Sequence, residues 1–206
     1  DKHVESTSVD GYVRMQTERT WAQIITDPGD TANDSATDSH IVYARSTANA
    51  GKFDRCHRGI LLFDCSALPP GAVIDEVALK IFVTNKGNGL GWSDTDAGIA
   101  LVASAPASNT ALVDTDYATL GSTRFATDIP YSDITDEAID DDPWNTFSLN
   151  AAGLAAVIDG VSKFGIRFVG DLDASAIAWA SGKETYVHIY LADNVTDIPK
   201  LEVQYH

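Results

Sequence analysis

About ten short apolar segments, parted by glycine, proline, asparagine and aspartate, limit what this 206-residue chain can become. They read GYVRMQT, HIVYAR, RGILLFD, EVALKIFVT, GIALVASA, WNTFSLN, KFGIRFVG, AIAWASG, TYVHIYLA and PKLEVQYH. Each has strand length and a bias towards branched and aromatic residues, and turn chemistry separates it from the next. Strands at this spacing close on one another as an all-β, antiparallel, jelly-roll-like β-sandwich, because βαβ units would need helical runs between them. The length suits one domain over residues 1–206. Two short helices are expected as connections. In NAAGLAAVIDG, Asn150 is the cap, Leu154, Val157 and Ile158 share a face, and Gly160 is the stop. In DTDYATLG, Asp114 or Asp116 is the cap and Gly121 the end.

Thirty acidic residues against 14 basic ones give a formal charge of −16. That field repels nucleic acid and anionic membrane surfaces, and it suits cations or neutral ligands better. No run of about 18 apolar residues is present, so no membrane span is expected. The sequence opens DKHVESTSVDGYV, without an initiator Met or a basic-then-apolar leader, so a secreted chain of this kind has already lost its signal. Cys56 and Cys65 flank one strand; in extended chain they stand roughly 30 Å apart and cannot pair with each other. Buried thiols or an intersubunit bond remain open.

Nucleophilic catalysis has little support. There is no G-x-S-x-G elbow, and His3, His40, His57, His188 and His206 stand in unrelated settings. Cys56 and His57 are neighbours that a strand turns to opposite faces, which is no zinc spacing. GNGLG (87–91) lacks the Lys-Ser/Thr of a phosphate loop and reads as a flexible turn. Glycoside cleavage needs two carboxylates at a set separation in space, which abundance alone does not provide. The chain is not expected to be an enzyme.

Long acidic loops at 26–39, 85–98 and 132–143 hold the remaining candidates. SDTDAG sets Asp94 and Asp96 two apart before Gly98; GDLD repeats the spacing with Asp171 and Asp173, and DTD with Asp114 and Asp116. This resembles the opening of a calcium loop without its terminal Glu, so Asp94, Asp96, Asp171 and Asp173 are candidates for a structural Ca²⁺, against solvated loop carboxylates. Trp92 with Asn88 and Asp94, and Trp144 after DDDP, are candidates for stacking on a sugar ring. The competing reading folds Trp92 back onto the sandwich edge, while Trp21 and Trp179 suit the core. Asn33 and Asn194 head N-x-Ser/Thr sequons and are candidate glycosylation sites.

Residues 58–83, RGILLFDCSALPPGAVIDEVALKIFV, resemble the signature of DNRLRE-type domains: a strand ending Phe63-Asp64, a Ser-x-Leu-Pro-x-Gly-x-x-Ile turn, and a following apolar strand. WNTFSLNAAGLAAVIDG, KFGIRFVGDLD, WASG and PKLEVQY are similar to the later pattern, so the resemblance runs from about Asp10 to the end. It implies a jelly-roll sandwich on an extracellular protein, and some relatives are polysaccharide-binding modules. Leu149-Asn150, Gly153-Leu154 and the run from Phe164 to Arg167 are also similar to uncharacterised proteins of phages and environmental bacteria, which implies a cell surface or a virion. The matching residues are turn and core positions, so the resemblance transfers a fold and no binding residue. Apart from the cluster Lys52, Arg55, Arg58, the basic residues that relatives use on anionic glycans have no clear counterpart here, so an anionic polysaccharide is not the expected ligand.

The expectation is a non-catalytic, extracellular or virion-surface structural or interaction protein, part of an assembly such as a filament, capsid decoration or tail. Its strand-like N-terminal segment would pair with a neighbour's sheet edge, by self-assembly or with other surface proteins. The alternative is a carbohydrate-binding module that recognises polysaccharide through loop aromatics.

Overall fold

The computed structural model describes residues 1–194 and 196–206. It contains β1 (Lys2–Ser6), β2 (Val9–Met15), β3 (Arg19–Thr20), α1 (Trp21–Thr26), β4 (Thr31–Asn33), β5 (Asp38–Ser46), β6 (Lys52–Asp64) and β7 (Ile74–Asn88). There follow β8 (Ile99–Ser104), β9 (Leu120–Arg124), β10 (Trp144–Ser148), α2 (Ala151–Leu154), β11 (Val161–Phe168), α3 (Val169–Leu172), β12 (Glu184–Tyr190) and β13 (Lys200–Tyr205), with 3₁₀ turns at Asp114–Thr119 and Tyr131–Asp133. Every strand pairing is antiparallel, as an all-β sandwich requires.

Two long strands organise the rest. Along one edge, β6 gives Phe53–His57 to β5 and Gly59–Asp64 to β11. In the same way β7 gives Ile74–Lys80 to β13 and Val83–Asn88 to β12, with β10 on its other edge. The hydrogen-bonded path therefore runs β1-β13-β7-β12-β5-β6-β11-β8-β9, with β10 added on β7 and β2 on β6. Alternation decides what each strand turns inward: Val77, Leu79, Ile81 and Val83 on β7, Val187 and Ile189 on β12, and Phe164, Ile166 and Phe168 on β11 are all buried. These faces meet in one apolar cluster. The turn between β6 and β7 uses Gly71 at φ +79°, a conformation that costs glycine nothing.

Several expectations need correction. AIAWASG forms no strand, because its groups are taken by distant segments: the Trp179 indole donates to Lys52 O, and Ala178 O accepts from Trp92 Nε1. Asn150 caps α2 through Ala152 N and Gly153 N, as its side chain predicts, but the helix stops at Leu154 and leaves Ile158 52 % exposed. In the 3₁₀ turn, Asp116 is not the cap residue; it is buried and accepts from the backbone N–H of Val113 and Ala107. Helices α1 and α3 are additional. The Thr20–Gln23 capping box starts α1, which places Trp21 and Ile24 in the core. Cys56 and Cys65 are both free and buried.

Candidate functional site

Side chains that alternate outward on the β10-β7-β12-β5-β6 face build the site. Phe82, opposite Trp144 in register, meets its ring edge-on at 5.4 Å and stacks against Tyr190 at 5.5 Å. Beyond them, His40, Tyr43, Tyr186 and His188 form a second group, with His40 within 4.9 Å of each of the other three. His57 follows, tilted against Tyr43 at 5.0 Å and stacked on Tyr12 at 4.3 Å.

Two β-bulges put these rings on one surface. Tyr43 and His40 are three residues apart, a spacing that regular strand would send to opposite faces. The register between β5 and β12 slips at Ile41, so His40 lands opposite His188 just as Tyr43 lies opposite Tyr186. On β7 the slip at Thr84 does the same for Phe82 and Gly87. Thr84 stays in use, its hydroxyl 2.7 Å from His188 Nδ1.

At one end of the ladder lies a polar cleft of about 280 Å³ lined by Lys80, Asp142, Trp144, Thr146, Lys200 and Glu202. The Lys200 ammonium sits 4.6 Å from the centre of the Trp144 ring, a cation–π contact. Glu202 accepts from Lys80 Nζ at 3.0 Å and Lys2 Nζ at 3.1 Å, and these hydrogen bonds hold its carboxyl below the usual range. Asp142 accepts from the Trp144 backbone N–H. A glycosidase acid must hold its proton to protonate the leaving oxygen, the opposite of what two lysines impose on Glu202.

Burial sets the state of the histidines. It lowers His40 to about 4, helped by neighbouring His188, and His57 to about 3. His188 is also lowered by burial. His40 and His57 are thus uncharged imidazoles near neutral pH. Tyr43 is pushed up by burial and by its 2.6 Å hydrogen bond to Glu184, so it stays a donor. His57 Nδ1 lies 3.2 Å from His40 O; a carbonyl only accepts, so Nδ1 carries the proton and Nε2 is a lone-pair acceptor, buried without a partner among the described residues.

The candidates read from the sequence fall into different surroundings. Trp92 is a core residue, 4 % exposed, wedged edge-on between Trp21 and Phe168, and its indole offers no face to a sugar. Asn88 fixes that loop, bonding Trp92 N and O and accepting from Thr185. Asp94 binds Ser132 N and Oγ, and Asp96 binds Ser93. Asp171 is buried with both oxygens bonded by Arg58 and Arg167, and Asp173 forms an exposed ion pair with Arg124. Among the described residues no three His, Cys, Asp or Glu side chains converge as a metal site. Asn33 sits half-buried on β4 and accepts from Ser35 N; the Asn194 sequon includes residue 195, which lies outside the described residues.

Only Trp144 of the aromatic candidates belongs to the site. Its companions Phe82, Tyr190, Lys80 and Lys200 were missed, though TYVHIY carries the signal: rings alternate with aliphatic residues at period two, which is an outward ladder on a buried strand. No protein-family model and no curated protein matches the chain. Among the described residues no helix is long and apolar enough to cross a membrane.

Proposed function

We propose that the chain is a non-catalytic binding module that takes a polysaccharide at the Trp144 cleft. One observation carries this reading: a single cleft joins an aromatic ring to lysine ammonium groups, carboxylates and a threonine hydroxyl. A ring meets the C–H face of a sugar, and the charged and hydroxyl groups meet its oxygens. The resemblance of residues 58–83 to DNRLRE-type domains, some of which bind polysaccharide, supports the same class, as does Glu202 being held as a carboxylate by two lysines. A printed array of polysaccharides followed by calorimetry tests it: wild type binds at least one chain and Trp144→Ala loses that binding. An array on which wild type binds nothing would sink the reading.

A second reading rests on a different feature. Strand β1 ends the sheet, pairs on one edge with β13 alone, and exposes Val4 at 49 %. An open edge of this kind accepts a strand from another chain, which favours assembly of a filament, tail or coat on a cell or virion surface. Native mass measurement across a concentration series tests it; a monomer at every concentration counts against it.

A further inference from the structure

We infer that the ligand continues from the Trp144 cleft across the ring ladder, with Tyr186 as a second platform, so that the module reads a chain rather than a single sugar. This rests on the polysaccharide reading above. Tyr186 lies over Gly87, its cross-strand partner: a Cβ at Gly87 would stand 2.6 Å from Cε1 and 2.9 Å from Cζ of the ring. Gly87 is therefore the residue that lets the ring lie down on the sheet. The ring thus has one side against the backbone of Gly87, and the residue as a whole is half-buried. The His40 ring stands at 80° to it with centroids 4.9 Å apart.

The distance between platforms sets the ligand. Trp144 is opposite Phe82 on β7, and Tyr186 is opposite Gly87 on the same strand from the other side. Strand spacing and rise put the two rings about 15–20 Å apart, beyond the reach of one sugar ring. Phe82, Tyr190 and His188 lie between them. Among the described residues the His40 ring, the Arg55 guanidinium, the Lys200 ammonium and the Tyr186 hydroxyl have no hydrogen-bond partner. Flat rings bordered by unused donors and acceptors match a polyol chain, whose C–H faces stack while its hydroxyls bond at the sides.

Calorimetry with two size ladders, cello-oligosaccharides and oligogalacturonates from disaccharide to octasaccharide, tests the inference. The expected result is affinity that climbs with length beyond the cleft. Tyr186→Ala should cost about tenfold for the longest member and leave the shortest unchanged, while Tyr186→Phe restores the climb. Trp144→Ala should weaken every length. If Tyr186→Ala lowers thermal stability, Tyr186→Leu supplies bulk without a flat ring and reads the same question. Binding that depends on Trp144 but shows the wild-type length profile in Tyr186→Ala overturns the second platform alone. Failure of every member to bind wild type overturns the platform and the polysaccharide reading together. Self-association lost in Tyr186→Ala would give the face to a second copy of the chain and likewise overturn the inference.

Discussion

Two regions of the molecule take polar groups out of water, and they do so on opposite terms. Behind β6, Arg58 binds both oxygens of Asp171 and also donates to Tyr117 O and Ile25 O, while its guanidinium lies 3.9 Å from the centre of the Tyr117 ring; Arg167 completes the cluster. Burial alone would raise the Asp171 carboxyl, yet the two arginines hold it below its ordinary value. On the ring-bearing face the balance is left open: His57 Nε2 and Arg14 Nε are buried without partners among the described residues. A closed network fixes a fold, and an open one is where a ligand or an ordered water still has bonds to offer. The contrast separates structure from site better than residue type does, since arginine and aspartate dominate the first region and histidine and tyrosine the second.

The largest effect should come from opening the closed network. Asp171→Ala strands two buried guanidinium groups and should cost about 3–5 kcal/mol, read from denaturant unfolding. A cost under about 1 kcal/mol would mean that water already satisfies the arginines. Next, Trp144→Ala should reduce polysaccharide affinity by tenfold or more with an unchanged unfolding midpoint, which would show that the cleft is not part of the fold's support.

A pH titration sharpens the comparison further. In the unfolded chain His40 and His57 take up protons as pH falls below about 6.5, whereas the folded chain resists until about 4 and about 3. Their contribution is complete above pH 6.5 and drains as pH falls through that window. Arg14 and Arg55 oppose protonation from the same face, and Glu184 and Asp38 favour it at His40. A double variant, His40→Gln with His57→Gln, should flatten the acid limb of the stability curve; an unchanged limb would place the loss on carboxylates such as Asp171. The smallest effect belongs to Tyr43→Phe, which removes the bond to the exposed Glu184 and should cost about 1 kcal/mol in unfolding experiments.

Much of this fold was legible because strands announce themselves locally. The apolar runs that became β6, β7, β11 and β12 carry their own period, and Asn150 caps a helix by chemistry that acts within three residues. The site was less legible because it depends on one-residue slips. Nothing in the composition around Ile41 or Thr84 signals a bulge, yet without them His40 would face away from Tyr43, and Phe82 away from Tyr186. Trp92 takes the competing reading, folded back onto the sandwich: its glycine-rich polar loop looks like surface, but Asn88 ties that loop back and the indole lies between Trp21 and Phe168. Asp171 sits 113 residues from Arg58, a partnership that local pattern does not encode.

The division of β6 and β7 between partner strands has a dynamic consequence. A strand whose two halves pair with different neighbours cannot release one neighbour without fraying its own ladder with the other. Amide hydrogens on all of these partners should therefore exchange together through one global opening, with Gly59–Phe63 and Val77–Val83 among the slowest, while β1 exchanges early at its open edge.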